Sequence, residues 1–271
     1  MPVLRISASK TKRRNKRIVL LREIIDSIES VAPRSAQEAW DNSGMQVGDT
    51  RRDIQSVLLT TDVTPNVVNE AIMCGCQLIV SHHPLLFHGL KQVCGQTPQA
   101  QVVALAIKHD IAIYSAHTSL DCVWGGINTR LADRLGIIDY QFLMPDGLGV
   151  IGRLPQPMEY AAFLTHVRKT LDCTYVRYTR PRAEKVQTIA LCGGAGAEFI
   201  PEAISQGADV YLTADCKYHE FQDAEGRIGL VDIDHWVSEC HAREIFRSII
   251  EPLGVQCTIS KSDRTPIQLI K

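Results

Sequence analysis

The chain has 271 residues, which is enough for one large domain or two modest ones. Its hydrophobic content of 45% and charged content of 22% are those of an ordinary soluble globular protein. A formal net charge of −1 argues against nucleic acid or an anionic membrane as a partner of the whole protein. No apolar run approaches the ~20 residues that span a bilayer, so the sequence predicts no membrane protein.

Cysteine usage indicates the redox environment. Nine cysteines are scattered along the chain, with one C-x-C pair at Cys74 and Cys76 and no C-x-x-C. This pattern favours reduced thiols over a disulfide framework, and it argues against a zinc site made of cysteines alone. We therefore expect a cytoplasmic protein.

Residues 1–17 are predicted to be a basic, disordered tail. Residues 1–22 contain eight Lys or Arg and no acidic residue. An apolar core segment is missing from this stretch, so it is not a secretory signal. Contact with nucleic acid and an organelle address both remain open for the cluster from Lys10 to Arg17, but a solvated tail is favoured over either.

Residues 18–137 are predicted to form an N-terminal α/β half. Apolar residues at helical spacing predict a first helix from Ile18 to Val31, which Pro33 ends. In residues 40–48 a Trp, an Asp-Asn pair and two glycines predict a structured turn that leads to a short strand. The elements that follow are strand Val57–Thr61, helix Pro65–Cys74, strand Gln77–Ser81, helix Pro98–His109, strand Ile111–Ser115 and helix Ile127–Leu135.

Residues 138–271 are predicted to form a C-terminal α/β half, with a boundary that the sequence places only within 136–150. Strands that alternate with helices of this length indicate βαβ units, so we predict an α/β fold of two interlinked halves with largely parallel strands. The elements of this half are the extended segment Gly147–Leu154, helix Met158–Leu171, strand-like Thr174–Tyr178, strand Val186–Cys192, helix Phe199–Gln206, strand Asp209–Thr213, a short helix near Tyr218, strand Ile228–Ile233, helix His235–Ile250 and strand Val255–Ser260.

Histidines and carboxylates follow the ends of several predicted strands. The carboxyl ends of strands in an α/β sheet open onto the crevice where ligands bind. Imidazoles and carboxylates together suit Zn, Fe or Mn as divalent ions, whereas ordinary loop histidines are the alternative. The residues placed in this way are His82, His83, His117, Asp121, Asp215, His219, His235 and Glu239.

Spacing constrains which residues can share an ion. Adjacent side chains leave an extended chain in opposite directions, so His82 and His83 would serve different ions, or one would bind while the other orients. His235 and Glu239 stand at i and i+4 of a predicted helix, hence on one face, although such pairs also occur on helix surfaces. For Asp121 a loop-capping role is the alternative, because Gly125 and Gly126 follow.

The candidate metal ligands are His82, His83, Asp121, His235 and Glu239. Three nitrogens and two carboxylates are too many for one ion with an open position, and they suit two ions that share a bridging carboxylate. Paired ions of this kind favour hydrolysis, since both polarise a bridging water and stabilise the developing anion.

Two further sequence features give weaker indications of anion binding. The Gly-rich turn Cys192–Gly196 could bind an anion through backbone N–H groups, or it could be a tight turn that needs positive φ. Lys91, Arg153 and Lys217 could each meet a phosphate, or each could be a solvated surface charge. The chain has no phosphate-binding G-x-x-x-x-G-K-[ST] motif.

Several motifs in order resemble the GTP cyclohydrolase 1 type 2 homologue family, also called the NIF-three-like family. The resemblance covers residues 18–271 and leaves only the basic tail outside. It implies a two-part α/β fold with a dinuclear metal site at the strand carboxyl ends, between the halves, and a ring-shaped homohexamer. The motifs are Trp40–Gly48, Ser81–Phe87, His117–Asp121, Cys192–Gly196, Leu212–His219 and Asp234–Glu239.

The resemblance also implies residue roles. His82 and Asp121 would bind one ion, His83 and His235 would complete the shell, and Glu239 would bridge. The catalytic candidates, His117 and His219, would orient ligands or act as general acid or base. The family pattern differs where Ser119, Ala214 and Trp124 stand here, and Trp124 is expected to reshape the pocket mouth.

The function implied is divalent-metal-dependent hydrolysis, in which metal-bound hydroxide attacks a small molecule. The family name suggests GTP, with opening of the purine ring and release of formate. One alternative is a hydrolase of phosphoester or amide bonds in another substrate. A second alternative, from a different class, is a metal-binding scaffold or regulatory protein that acts through partner contacts.

Overall fold

The computed structural model describes residues 18–270, and the predicted basic tail lies outside them. Within that range no helix is both long and apolar enough to cross a membrane. The strands are β1 (Val19–Leu20), β2 (Gly44–Val47), β3 (Asp53–Ile54), β4 (Ser56–Thr60), β5 (Leu78–Ser81), β6 (Ala112–Ser115), β7 (Ile138–Phe142), β8 (Val150–Glu159), β9 (Arg177–Tyr178), β10 (Lys185–Leu191), β11 (Val210–Ala214), β12 (Gly229–Ile233) and β13 (Gln256–Ile259).

Ten α-helices lie within the same residues, together with short 3-10 turns at Arg34–Ala36, Ala197–Phe199 and Glu251–Leu253. The helices are α1 (Leu21–Val31), α2 (Pro65–Cys74), α3 (Pro98–Lys108), α4 (Thr118–Asp121), α5 (Ile127–Leu135), α6 (Tyr160–Leu171), α7 (Ile200–Ser205), α8 (Tyr218–Ala224), α9 (His235–Glu239) and α10 (Ala242–Ile250). The predicted α/β class is confirmed, and most predicted elements lie within two or three residues of these bounds.

The first sheet has the strand order β13-β4-β5-β6-β2. β13, β4, β5 and β6 are parallel, and only β2 runs antiparallel to its neighbour. Alternate residues of β4 enter different cores, since Val57 and Leu59 pack with α1 and α10 whereas Leu58 packs with α2 and α3. Helices therefore cover both faces, and the parallel strands are buried runs of apolar residues.

The second sheet is mixed, with the order β7-β8-β10-β11-β12-β9. Its centre, β10 to β12, is parallel, but β7, β8 and β9 pair antiparallel with their neighbours. The expectation of largely parallel strands therefore holds for the centre of this sheet. α5 and α6 pack on one face, and α7 and α8 pack on the other.

The two halves exchange chain at the C-terminus. β13 pairs with β4 of the first sheet, and Phe246 of α10 lies in the core that α1 covers. Residues from the predicted C-terminal half, 138–271, thus complete the sheet of the N-terminal half, which is the sense in which the halves are interlinked. The division at residue 137 itself stays a prediction.

Several element predictions were wrong in detail. β7 was not predicted, and the extended segment predicted to end at Leu154 continues as β8 to Glu159. The chain from Val19 to Leu20 pairs with β3 as a short strand, so α1 begins at Leu21 and not at Ile18. The predicted helix His235–Ile250 is interrupted between Glu239 and Ala242, where buried His241 forms a hydrogen bond through Nε2 to the carbonyl of Ile127 at 2.9 Å. This interruption separates α9, which carries two candidate ligands, from α10.

Candidate metal centre

The carboxyl end of β5 delivers the paired histidines. The backbone N–H groups of His82 and His83 donate to the carbonyls of Thr60 and Thr61 at 3.3 and 3.0 Å, so the pairing with the β4 strand continues past the strand end. His82 is fully buried, whereas His83 lines a cavity with a partly exposed side chain. The extended backbone thus sends the two rings to different places, as their adjacency predicts.

One group of ligand atoms surrounds Nε2 of His82. This nitrogen lies 3.6 Å from Oδ1 of Asp121 and 3.7 Å from Oε1 of Glu239. Both Nε2 of His82 and Oδ1 of Asp121 are buried and have no hydrogen-bond partner among the described residues. Buried polar atoms without partners cost free energy, so a proton or a cation bound between them would stabilise this arrangement.

A second group surrounds the other oxygen of the same carboxylate. Oε2 of Glu239 lies 2.9 Å from Nε2 of His83 and 3.0 Å from Nε2 of His235. The two ring nitrogens are 3.3 Å apart. Glu239 therefore contributes one oxygen to each group, and the i, i+4 spacing of His235 and Glu239 on α9 produces the contact that the sequence predicts.

The rings of His82, His83 and His235 are each held by a hydrogen bond at Nδ1. Nδ1 of His82 is 2.9 Å from the carbonyl oxygen of Ala116, which fixes a proton on Nδ1. A separate carboxylate fixes the Nδ1 proton of each of the other two rings, Asp62 at 2.8 Å from His83 and Asp215 at 2.7 Å from His235. The Nε2 atoms of all three rings then face the carboxylate of Glu239, the arrangement by which proteins prepare histidines to bind metal.

The pKa shifts show that the cluster favours added positive charge. Burial lowers the pKa of His83, but hydrogen bonds to Asp62 and Glu239 outweigh burial and raise that pKa to about 10. Burial also opposes protonation of His235, yet hydrogen bonds to Asp215 and Glu239 raise its pKa to about 11. Burial and the charge of Glu239 raise the pKa of Asp121 well above its ordinary value. A bound cation would supply the charge that the protons otherwise provide.

The donor atoms fit a divalent ion. Ligands ~2.1 Å from an ion in tetrahedral arrangement lie ~3.4 Å from one another, close to the separations of 2.9 to 3.7 Å found here. Nitrogen and carboxylate donors together suit Zn, Fe and Mn. The five residues predicted as metal ligands, His82, His83, Asp121, His235 and Glu239, are brought together at one place by the fold.

His117 lies beside the two groups of ligand atoms. Its ring centroid is 5.3 Å from that of His82 and 5.4 Å from that of His83, and a nitrogen from each of the three rings lies within 4.8 Å of the others. Asp41 holds it, with Oδ1 2.9 Å from Nδ1 of His117 and Oδ2 accepting hydrogen bonds from Thr118. The predicted position of His117 at the site agrees with this geometry.

His219 is placed elsewhere. It is exposed on α8, where its Nδ1 is 3.3 Å from Oε1 of Gln222 and its ring contacts Tyr218. His219 is absent from the described residues that line the cavity at the ligand cluster. The structure therefore provides no contact through which this residue would act on the centre within one chain.

The Gly-rich turn packs against the carboxylate of Glu239. The backbone N–H groups of Gly193, Gly194 and Gly196 donate to side-chain oxygens of the chain itself at 2.8 to 2.9 Å. These three donors are therefore not free to bind an anion. Gly194 has φ +65°, and a Cβ there would overlap Oε1 of Glu239. Of the two interpretations, the tight turn with positive φ is confirmed. The absence of a side chain at Gly194 leaves room for the carboxylate of Glu239.

The basic candidates and Trp124 lie away from the cavity. None of Lys91, Arg153 and Lys217 is among its described lining residues, and Arg153 lies 3.5 Å from the carboxylate of Asp139. Trp124 stacks on Tyr140, with ring centroids 5.6 Å apart, and does not reshape the mouth as expected. Phosphate binding by these cations therefore has no support from the structure.

Three positioning carboxylates were not predicted from the sequence. Asp41 holds His117, Asp62 holds His83 and Asp215 holds His235. Asp62 follows the carboxyl end of β4, so the rule that found the histidines would also have found it. Asp215 was noticed at a strand end but given no role, and it adopts φ +57°, a conformation that aspartate tolerates better than most residues.

Asp263, in the C-terminal segment, joins elements on both sides of the centre. Its Oδ2 accepts a hydrogen bond from the backbone N–H of Thr61 at 2.7 Å, and its Oδ1 accepts one from Nε1 of Trp236 at 2.9 Å. The guanidinium of Arg243 is 3.3 Å away, and the carboxylate side chain is only 1% exposed. Thr61 precedes the aspartate that holds His83, and Trp236 follows His235, so Asp263 fixes both histidine-bearing segments.

We expect Asp263→Asn to weaken metal binding roughly 10- to 100-fold, the usual effect of removing a group that orients metal ligands. The amide would present a donor to Thr61 or to Trp236, and it would leave the Arg243 guanidinium without its counterion. Metal affinity, measured by competition with a chelating dye at a temperature where the variant is fully folded, provides the readout.

Glu70→Gln is the matched control for this prediction. Glu70 anchors the same segment to α2 by accepting hydrogen bonds from Ser260, Lys261 and Ser262 at 2.7 to 2.9 Å, and none of these partners belongs to the centre. This variant should lose stability and keep its metal affinity. An equal loss of metal affinity in both variants would show that Asp263 stabilises the fold and does not position the histidines.

The ligand cluster opens onto a cavity of about 410 Å³. His83, His117, His235 and Glu239 form part of its polar wall. Aromatic and aliphatic side chains form much of the remainder. They are Trp40, Pro84, Phe87, Leu148 and Phe199.

Comparison with known proteins identifies the family. The DUF34/NIF3 (NGG1p interacting factor 3) family description matches residues 19–266. A GTP cyclohydrolase 1 type 2 homolog of Clostridium perfringens is 33% identical over 260 residues, covering 92% of this chain and 99% of the relative. The protein of the same name from Streptococcus pneumoniae is 32% identical over 237 residues, covering 84% of this chain and 89% of the relative. The crystal structure of a Bacillus cereus protein related to NIF3 has the same fold, with a TM-score of 0.87 and 24% identity over 94% of this chain and 100% of that one. The chain therefore belongs to the DUF34/NIF3 family.

Proposed function

We propose that the chain is a divalent-metal-dependent hydrolase of small molecules that holds two ions per subunit. The supporting observation is the division of Glu239 between the two ligand groups, because Oε1 faces His82 while Oε2 contacts His83 and His235. His82 and Asp121 would hold one ion, His83 and His235 the other, and Glu239 would bridge them. Zn, Fe and Mn are the ions that such ligands suit.

The ions, when bound, would supply an acidified water and positive charge to stabilise a developing anion. The chain supplies a proton carrier beside them. His117 lines the cavity, and since Asp41 occupies its Nδ1, Nε2 is the nitrogen that takes or gives a proton. The carboxylate of Asp41 stabilises the imidazolium that this transfer forms and keeps the ring aimed at the cavity.

The substrate proposal has a coarse and a fine part. The coarse part is a small molecule that enters a cavity of about 410 Å³, a volume within the range of ligand sites. The fine part, GTP with purine ring opening and formate release, rests on the name that the relatives carry. A homohexameric ring belongs to the same proposal, and light scattering on the purified protein would measure the assembly size.

Metal removal and reloading test the hydrolase proposal. Protein stripped by chelation and reloaded with Zn, Mn or Fe should hydrolyse a member of a panel of GTP, phosphoesters and amides only when loaded. His117→Asn should lower kcat by roughly 10²- to 10⁴-fold while metal content stays unchanged, because it removes the proton carrier and leaves all five proposed metal ligands in place.

His109→Asn is the control, since His109 is an exposed residue just after α3. It should leave kcat and metal content as they are. Turnover that does not depend on metal, or equal losses in the two histidine variants, would contradict the proposal. Full metal loading without turnover of any panel member would favour the scaffold alternative.

A further inference from the structure

The charges around the cavity restrict the ligand. The described lining contains no Lys or Arg, but it contains four carboxylates, which belong to Asp62, Asp121, Glu198 and Glu239. Two divalent ions would neutralise the charge of these four groups and leave none in excess. A loaded centre therefore offers no net positive charge to a ligand that carries several negative charges.

The outer part of the cavity presents exposed aromatic rings. Trp40 is 58% exposed and Phe87 is 43% exposed, although both line the cavity. Their ring centroids are 5.7 Å apart at an interplanar angle of 61°, and each also lies about 6 Å from the ring of His117. Large apolar rings left open to water beside a polar centre favour a ligand with an apolar face.

We infer that this site selects uncharged planar ring compounds over nucleoside triphosphates. The ring of the ligand would lie against Trp40 and Phe87, and its polar reactive atom would face Glu239. A triphosphate would bring negative charges into a cavity whose cations are already matched by carboxylates, at a large desolvation cost. The inference rests on the proposed metal-dependent hydrolase, and it replaces GTP, the substrate that the relatives' name suggests, with uncharged ring compounds.

Guanosine, GMP and GTP form a suitable test series, because they share one ring system and differ only in phosphate number. Each would be titrated into the full chain in the presence of saturating free Zn, at constant ionic strength, with calorimetric detection. We expect guanosine to bind and the affinity to fall from guanosine to GTP. Trp40→Ala should weaken guanosine binding roughly 5- to 150-fold, the effect of losing one ring-stacking contact.

Trp124→Ala is the matched control. Trp124 is 57% exposed, much like Trp40, but it stacks on Tyr140 and Phe142 and does not line the cavity. Its removal should leave guanosine affinity unchanged. The inference is overturned if affinity does not fall from guanosine to GTP, if guanosine does not bind, or if both tryptophan variants lose affinity equally. It is also overturned if Trp40→Ala changes only the assembly size.

Binding and turnover separate this inference from the hydrolase proposal. Guanosine bound through Trp40 without hydrolysis of any panel substrate would refute the hydrolase and leave the ring selectivity standing. Conversely, metal-dependent GTP hydrolysis with affinity that rises with phosphate number would support the hydrolase and refute the selectivity.

Discussion

Glu239→Gln is expected to abolish binding of both ions, and it should be the most damaging single change to the centre. Glu239 supplies an oxygen to each ligand group, 3.7 Å from Nε2 of His82 and 2.9 Å from Nε2 of His83. Glutamine preserves the shape but replaces one anionic oxygen with an amide donor and removes the charge that both ions need. We expect affinity to fall by more than the roughly 100-fold caused by loss of an orienting group.

Metal analysis and thermal unfolding provide independent measurements of this effect. A ligand that binds only the folded state at 100 times its Kd adds about 2.7 kcal/mol of stability, so wild-type protein should gain Tm on addition of Zn. The variant should fold and show no such gain. Glu244→Gln is the control, because Glu244 is an exposed residue on α10 that pairs with Arg247. Retention of one ion by the Glu239 variant would contradict a shared carboxylate.

The convergence of the candidate ligands on one place was predictable from the sequence for identifiable reasons. His82 and His83 follow a buried parallel strand, and the carboxyl ends of parallel strands converge on one edge. His235 and Glu239 share a helix face because their spacing is close to one turn. These are local rules, and they hold even though 156 residues separate His83 from Glu239.

The sequence could not predict which carboxylate holds which histidine. Many aspartates follow strands in this sequence, and only the packed structure pairs Asp62 with His83 and Asp215 with His235. The exposure of His219 likewise depends on which face of α8 packs against the sheet. Local spacing carries no information about that choice, since tertiary packing decides it.

The pairing of the C-terminal strand β13 with the first sheet was also not predictable from the sequence. A strand with the composition of β13 can pair at either sheet, and it pairs with β4 in the structure, where the preceding α10 packs in the core on one face of that sheet. The interruption between α9 and α10 coincides with a buried contact of His241 with the carbonyl of Ile127, 114 residues away in the sequence. Helical periodicity continues through the break, so the pattern alone predicts one long helix.

Gly194→Ala is expected to disrupt the centre without changing any ligand. A Cβ at this position would overlap Oε1 of Glu239 and lie 3.4 Å from Nε2 of His235. The turn cannot easily retreat, because the N–H of Gly194 donates to Ser238 at 2.9 Å and its carbonyl accepts from Thr213. The carboxylate must therefore move, and we expect metal affinity to fall at least as far as for loss of an orienting residue, roughly 10- to 100-fold.

Gly207→Ala separates this displacement from backbone strain. Gly207 also has positive φ, at +78°, but nothing lies within 4 Å of its added Cβ. Each variant should lose about 1–2 kcal/mol of stability, because a left-handed conformation costs that much for residues with a Cβ. Only Gly194→Ala should lose metal. Wild-type metal affinity in that variant would show that Glu239 is not confined by the turn, and it would remove the structural reason for a glycine there.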